Sequence, residues 1–268
     1  MFVTFLSDFG LQDDFVGTCH GVIKQIAPDV QVIDLTHGIP PQAVLHGALV
    51  LANTLPYMPE GVHLAVVDPG VGSDRRAIAV AAEDGRLFVG PDNGLLVPAA
   101  ERAGGIAAAH ELTNPAYALE TVSRTFHGRD LFAPAAAHLA RGIGIAELGD
   151  AVDVSTLVHL DLPEPVVGSS LVRATALYVD RFGNIALNLG RSTLECVGIV
   201  PGTRVELRFT LDRYYAVAVR TFGDARAGDL ILFEDAYGNV AVAINGGDAA
   251  SMVSAGPGDE VRICAAPE

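Results

Sequence analysis

Short apolar runs alternate with helical patterns over the first 80 residues of the chain. The apolar runs predict strands at residues 2–6, 30–35 and 64–67, because runs of about four to eight apolar residues between turn formers are typical of buried strands. Apolar positions at helical spacing predict helices at residues 15–26 and 42–55. This β-α-β-α-β order predicts a parallel sheet with right-handed crossovers.

The alternation continues with strands predicted at 77–82 and 87–89 and helices at 95–103 and 131–141. A segment with two prolines at residues 160–170 then predicts a linker between domains. Beyond it, short alternating or apolar runs recur at intervals of roughly 8–12 residues, which is typical of all-β folds. We therefore expect an α/β domain with a mostly parallel sheet at residues 1–162 and a smaller all-β, barrel-like domain at residues 168–268.

Three of the predicted parallel strands are followed or ended by a carboxylate, namely Asp8, Asp34 and Asp68. Asp68 precedes a glycine-containing loop that leads to Arg75 and Arg76. The ligand crevice of an open α/β sheet lies beyond the carboxyl ends of its strands, so these residues are candidates for a binding or catalytic site. A turn aspartate followed by two surface arginines is the alternative interpretation of the same stretch.

His127 lies on a loop that enters the helix predicted at residues 131–141. A glycine, two arginines and Asp130 surround it in the sequence, which favours a titrating or hydrogen-bonding role over that of a structural or exposed histidine. Asp130 itself is predicted to be the N-cap of that helix.

The composition restricts the classes of function. A formal net charge of −15 argues against a nucleic-acid partner and suits a cationic or zwitterionic small ligand. The cysteines Cys19, Cys196 and Cys264 form no C-x-x-C pair, so we predict free thiols in a reducing cytoplasm. No short-range metal-ligand spacing occurs, so no catalytic metal is predicted. No apolar run approaches the ~18 residues of a membrane span, and the N-terminal segment lacks the basic start of a signal peptide.

Two polar turns stand out in the second domain. One runs from Asp180 through Phe182 to Asn184, and the other begins at Asn245. An aromatic ring beside an amide can stack on a flat ring and hydrogen-bond to its edge. The alternative interpretation is a pair of hairpin turns, which the same residue types favour.

Eight motifs, in order along nearly the whole chain, resemble one known family. They are SDFG at 7–10, DD at 13–14, DLTHGIPPQ at 34–42, VVDPGVGSDRR at 66–76, GPDNGLL at 90–96, TFHGRDLFAPAAAHLA at 125–140, VDRFGN at 179–184 and AINGG at 243–247. The family is that of the S-adenosyl-L-methionine (SAM) hydrolases, also called SAM hydroxide adenosyltransferases, which are related to the bacterial fluorinase and chlorinase.

The resemblance implies an N-terminal α/β domain, a C-terminal β-barrel domain and a cytoplasmic homotrimer. It places each active site between the N-terminal domain of one subunit and the C-terminal domain of the next. The implied reaction converts SAM and water into adenosine and L-methionine, without a metal or any other cofactor. No membrane or nucleic-acid partner is expected.

The resemblance also implies roles for individual residues. Asp68, Arg75 and His127 would hold and activate the water. Further contacts to the substrate are implied for Asp8 (ribose hydroxyls), Asp13 and Asp180 (methionine end), Phe182 and Asn184 (adenine), and Ile244, Asn245 and Gly246 (the rest of the adenine pocket).

Other positions separate the alternatives within the family pattern. The halogenating relatives carry a tyrosine at the position of Asp68 and lack the histidine at 127, so this chain favours hydrolysis over SAM-dependent halide alkylation. Ala236 and Ala241 replace polar residues found in other members, which keeps a SAM- or adenosine-binding protein without turnover as a further alternative. Arg76 is the alternative to Arg75 within the triad.

Overall fold

The computed structural model describes residues 1–210 and 212–267. The chain divides into two compact units, Met1–Leu160 and Asp161–Glu268, here called the α/β unit and the barrel unit. Within the described residues, no helix combines the length and the apolar character needed to cross a membrane.

A seven-stranded sheet forms the centre of the α/β unit. Its strands are β1 (Phe2–Ser7), β2 (Gln31–Thr36), β3 (Gly61–Val66), β4 (Ala77–Ala82), β5 (Leu87–Pro91), β6 (Ile106–Glu111) and β7 (Ala151–Val152). They are arranged in the order β2-β1-β3-β5-β4-β6-β7. The first four of these are parallel, whereas β4 pairs antiparallel with β5 and β6, and β7 pairs antiparallel with β6. Five of the seven strands therefore point in one direction, which confirms the predicted α/β fold with a mostly parallel sheet.

Helices cover both faces of this sheet. They are α1 (Phe15–Ile26), α2 (Val44–Thr54), α3 (Val97–Arg102) and α4 (Ala133–Ala140). Phe5 packs with α1 and α4 on one face, whereas the adjacent Leu6 packs with α2 and α3 on the other. Successive side chains of a strand point to opposite faces, so a continuous apolar run such as that of β1 serves two cores at once.

Strand β6, like the two-residue β7 beside it, is an element of this sheet that the sequence pattern did not predict. Its sequence is IAAAHE, and alanine is a weak strand former. The strand forms because β4 and β7 pair with its two edges, as Ala79 does with His110 and Val152 with Ala109. Tertiary pairing here outweighs local propensity.

The barrel unit is a closed sheet. Its strands are β8 (Val166–Val167), β9 (Leu171–Val179), β10 (Ile185–Gly190), β11 (Arg204–Phe209), β12 (Asp212–Ala218), β13 (Leu230–Glu234), β14 (Asn239–Ile244) and β15 (Glu260–Ala265), with the helices α5 (Arg191–Cys196) and α6 (Ala249–Val253). The order is β10-β14-β13-β12-β11-β15-β9-β8, and a further pairing of β10 with β9 closes seven strands into a barrel. The predicted all-β, barrel-like domain is thereby confirmed.

Alternate residues of these strands fill the barrel interior. Val172, Leu187, Leu207, Leu232 and Val261 form part of one buried cluster. Each comes from a different strand, so the interior is a side-chain core, as expected for a small barrel. All three cysteines of the chain are free thiols, as predicted.

His63 lies in the middle of β3, fully buried beneath the strand end that leads to the candidate site. Its Nδ1 lies 2.8 Å from the Thr4 hydroxyl oxygen, and its ring stacks on Phe88 at 5.0 Å between centroids. Burial, with the charge of Arg86 as a smaller contribution, lowers the pKa of His63 from 6.5 to about 4. The folded protein therefore holds this imidazole neutral.

We expect His63 to make the protein less stable in mild acid. The pKa of His63 is lower in the folded than in the unfolded state. The free energy of unfolding is therefore unaffected by this group above about pH 6.5, and it falls by up to about 3 kcal/mol as the pH falls towards 4. Urea unfolding at several pH values should show a smaller stability loss in this window for His63→Phe than for wild type. Equal losses in the two proteins would contradict a neutral, buried His63.

Candidate active site

Asp68 follows β3, which lies between β1 and β5 in the parallel part of the sheet. The chain then turns tightly, with Val71 N–H donating to the Asp68 carbonyl at 3.3 Å and Ser73 N–H donating to the Gly70 carbonyl at 3.0 Å. Gly72 has a φ of +77°, and a Cβ there would lie 2.4 Å from the Arg124 carbonyl oxygen. Only glycine fits this turn, which returns the chain towards Asp68.

Arg75 and Asp68 form a buried, two-pronged ion pair. Arg75 Nε lies 3.0 Å from each carboxylate oxygen of Asp68, and Arg75 Nη2 lies 2.5 Å from Oδ2. Only 10% of the arginine side chain and 6% of the aspartate side chain are exposed. The guanidinium also lies over the Phe132 ring, 5.2 Å from its centroid. Such planar, bidentate contacts hold both groups in one orientation.

The same guanidinium contacts His127. Arg75 Nη2 lies 2.7 Å from His127 Nδ1. Because arginine can only donate hydrogen bonds, Nδ1 must accept, which leaves the proton of the neutral imidazole on Nε2. Burial lowers the pKa of His127, and the positive charge of Arg75 lowers it further. The geometry and the electrostatics therefore both favour a neutral His127 with an Nε2–H donor.

Asp130 holds the turn that carries His127, and its predicted role as helix N-cap is wrong. The helical segment begins earlier, with a π-turn at Gly128–Phe132 for which His127 is the N-cap. The fully buried Asp130 carboxylate accepts hydrogen bonds from Ser123 N–H at 2.8 Å and from Arg129 Nε at 2.5 Å. It thus fastens the loop before His127 to the turn after it. In the sequence Asp130 directly follows Arg129, and an acid beside an arginine near a helix start is compatible with a cap and with a buried ion pair alike.

Asp8 is the second acidic group at this edge of the sheet. It follows β1, and its N–H lies 3.4 Å from the Val66 carbonyl oxygen at the end of β3. Its Oδ2 accepts a hydrogen bond from Gln42 N–H at 2.8 Å, and Gln42 adopts a left-handed φ of +65° to point this N–H at it. Burial raises the pKa of Asp8 despite that hydrogen bond, and the nearby charge of Asp68 raises it further.

The other predicted residues of the α/β unit lie apart from this group. Asp13 belongs to the exposed segment before α1. Asp34, at the end of the outer strand β2, pairs with two histidines instead. Arg76 Nε donates to Asp92 Oδ2 at 2.8 Å, and its guanidinium also contacts Thr156. Arg75, rather than Arg76, therefore joins Asp68 to His127.

In the barrel unit, Asp180 organises the first of the two predicted turns. Its Oδ1 accepts hydrogen bonds from Phe182 N–H at 2.8 Å and Asn184 N–H at 2.9 Å, and its Oδ2 accepts one from Asn184 Nδ2 at 2.7 Å. Gly183 completes the turn with a φ of +79°. The Phe182 ring is 75% exposed although it is a large aromatic group. The hairpin-turn interpretation is therefore correct as structure, and the exposed ring is the part that turn chemistry does not explain.

The second turn lies at the same end of the barrel. Ile185 of β10 pairs with Val242 of β14, so the turn before β10 adjoins the turn after β14. Asn245 Nδ2 donates to the carbonyls of Phe222 at 3.0 Å and Ala225 at 2.9 Å, which anchors Ile244 and Gly246 on either side. The barrel unit thus gathers its six predicted binding residues into two adjacent turns.

The two departures from the family pattern lie elsewhere in the barrel unit. Ala241 is buried on β14, paired with Ala186 and Phe233, whereas Ala236 is exposed in the turn between β13 and β14. Neither side chain offers a polar atom at its position.

Comparison with known proteins gives a consistent result. The model of the SAM hydroxide adenosyltransferase N-terminal domain matches residues 3–149, and that of the C-terminal domain matches residues 174–262. The chain belongs to this family. An (R)-S-adenosyl-L-methionine hydrolase of Salinispora tropica is 51% identical over 98% of this chain and 97% of its own length. A fluorinase of Actinoplanes sp. is 30% identical over 91% of this chain and 90% of its own length.

The fold is also present in a solved structure. An uncharacterized conserved protein from Thermotoga maritima superposes with a TM-score of 0.90 at 36% identity, covering 98% of this chain and 100% of that chain. Family membership thus rests on sequence and on fold together. The catalytic and binding roles of the individual residues stay predictions.

We expect the His127 imidazole to titrate below its ordinary pKa of 6.5, and Arg75→Gln to shift this titration upwards. The substitution removes the positive charge that opposes protonation, while the negative charge of Asp68 remains to favour it. NMR of the histidine ring protons across the pH range measures both titrations. His138, whose pKa is lowered by its own burial and by Arg141, is the internal control and should not move. An unchanged His127 titration in the variant would rule out the contact with Arg75.

Proposed function

We propose that this protein hydrolyses SAM to adenosine and L-methionine by direct attack of water on ribose C5′. The observation that carries the proposal is the contact of the buried Asp68–Arg75 ion pair with the half-buried His127 at the carboxyl edge of the sheet, in a chain of this family. The net charge of −15 supports a cationic substrate. The names of the more similar relatives support hydrolysis rather than halide transfer.

The reaction requires few catalytic functions of the protein. The water oxygen forms a bond to C5′ while the C5′–S bond breaks, and the sulfur keeps the bonding electron pair. Methionine leaves as a neutral thioether, so the leaving group needs no proton. The site has only to place a water in line with the C5′–S bond, stabilise hydroxide-like charge on it and accept one proton.

The three residues divide these tasks by their hydrogen-bonding capacity. The Asp68 carboxylate has lone pairs beyond those used by Arg75, so it accepts the proton of the water. The His127 Nε2–H donates to the water oxygen and fixes its position. The Arg75 charge stabilises the developing negative charge in surroundings that exclude most solvent. No step in this scheme requires a metal or another cofactor.

We assign the remaining contacts by chemical type. Asp8, whose carboxylate lies near Asp68, binds the ribose hydroxyls, and Asp13 with Asp180 faces the ammonium end of methionine. The exposed Phe182 ring stacks on adenine beside Asn184. The second turn of the barrel unit, with Ile244, Asn245 and Gly246, completes the adenine pocket.

We further propose that the protein acts in the cytoplasm as a homotrimer, with each site shared between the α/β unit of one subunit and the barrel unit of the next. The support is the resemblance together with the division of the predicted residues. Charged groups suited to the chemistry lie in one unit, and an exposed aromatic ring with turn amides lies in the other.

We expect the purified enzyme, incubated with SAM in H2(18)O, to release adenosine with 18O at the 5′ oxygen, with or without EDTA. Mass spectrometry detects the label. The name of the relatives specifies the (R) form of SAM, so the two sulfonium epimers are assayed separately. Asp68→Asn should lower kcat on the order of 10²–10⁴-fold, because the proton acceptor is lost.

Asp74→Asn removes an exposed acid from the same loop and is the matched control, which should keep the wild-type rate. Halide-dependent formation of a 5′-halogenated nucleoside would instead show the alkylating activity. Binding of SAM without any turnover would identify a binding protein.

We expect two inactive variants to complement each other. One carries Asp68→Asn, and the other carries both Phe182→Ala and Asn184→Ala. In co-expressed, randomly mixed trimers, about a quarter of the shared sites combine an intact α/β unit with an intact barrel unit. The activity should therefore return to about a quarter of the wild-type rate. Native mass spectrometry confirms the mixing. An inactive mixed trimer would place the whole site within one chain.

A further inference from the structure

His20, Asp34 and His37 converge at the outer edge of the α/β unit. His20 lies on α1, Asp34 lies on β2, and His37 follows β2 directly. His20 Nε2 lies 2.8 Å from Asp34 Oδ1, and His37 Nε2 lies 3.1 Å from the same oxygen. One ligand atom from each residue lies within 4.8 Å of the other two. His20 is 14 residues from Asp34 and lies on another element, so spacing along the sequence did not reveal the cluster.

The separations fit a shared metal ion. Imidazole nitrogens and carboxylate oxygens bind zinc-like ions at about 2.0–2.2 Å, so neighbouring ligand atoms lie about 3.0–3.4 Å apart in octahedral or tetrahedral geometry. Two imidazoles and one carboxylate on one side of an ion are a recurrent ligand set of divalent transition metals. The observed 2.8 Å and 3.1 Å distances need only small side-chain rotations to admit an ion.

His37 supplies an independent indication. It is 5% exposed, and its Nε2 is buried without a partner in hydrogen-bond geometry, although Asp34 lies close by. Its other nitrogen, Nδ1, lies 2.7 Å from the Ser7 hydroxyl oxygen, and its ring meets the Phe5 ring edge-on at 4.7 Å between centroids. A histidine that ligates a metal through one nitrogen is commonly oriented by a hydrogen bond at the other. The buried, unsatisfied Nε2 therefore points at the place where an ion would bond to it.

We propose that His20, Asp34 and His37 bind one divalent transition-metal ion of the zinc type. The ion takes no part in the proposed hydrolysis of SAM. The metal-site proposal does not depend on that reaction. An ion here joins α1 to the end of β2. It also fixes His37, whose partner Ser7 immediately precedes Asp8.

The test uses the full chain without a histidine tag, stripped of metal with a chelator that is then removed. Co²⁺ is the spectroscopic probe and Zn²⁺ the competitor. We expect visible Co²⁺ absorption bands that saturate at one ion per chain and disappear when Zn²⁺ is added. Zn²⁺ should also raise the Tm of the wild-type protein.

Asp34→Asn keeps the shape of the side chain but removes the charged ligand, and His20→Ala removes one imidazole. We expect each to weaken Co²⁺ binding at least tenfold, while circular dichroism shows a folded protein. Ser7→Ala should weaken it by roughly 10–100-fold, through loss of the hydrogen bond that orients His37. The exposed His159, changed to alanine, is the matched control and should leave binding unchanged.

The absence of saturable Co²⁺ bands in the wild-type protein would overturn the proposal and leave an ion-paired cluster of two histidines and an aspartate. Equal binding by wild type and Asp34→Asn would also overturn it, because the ion would then sit elsewhere. Neither outcome bears on SAM hydrolysis, which the isotope experiment measures separately.

Discussion

The candidate site depends on one guanidinium group that can only donate. Arg75 supplies the charge that allows the Asp68 carboxylate to be 94% buried, since an unpaired carboxylate in that position would be very costly. The same group forces His127 Nδ1 to be an acceptor and so decides which nitrogen carries the proton. The tight turn after Asp68 and the turn braced by Asp130 both serve to bring partners to this one group.

Much of the architecture followed from the sequence because burial leaves a strong pattern. The boundaries of β4 matched the prediction at 77–82, and the carboxyl ends of β1 and β3 brought Asp8 and Asp68 to one edge as expected. Barrel closure rests on the pairing of β9 with β10 and β15, of which the second pair is distant in sequence. The strand pattern therefore indicated a barrel-like domain without giving its strand order.

The site itself was less accessible to sequence reasoning. The sequence alone does not distinguish Arg75 from Arg76. Their partners do, because Arg75 contacts Asp68 and His127 whereas Arg76 contacts Asp92. The prediction of Asp130 as a helix N-cap was wrong because an aspartate near a helix start can equally be a buried carboxylate that holds a loop by hydrogen bonds. A π-turn, which moves the helix start by a few residues, leaves no recognisable pattern in composition or periodicity.

The position of β15 in the barrel has a consequence for synthesis. This strand, the last of the barrel unit along the chain, lies between β11 and β9 and pairs with both. During translation β9 and β10 can already form their hairpin, yet β11 and β9 each keep an unpaired edge until β15 has left the ribosome. Such edges are templates for mispairing with other chains. The nascent barrel unit is therefore an open sheet with unpaired strand edges, and the barrel closes only after β15 has been synthesised.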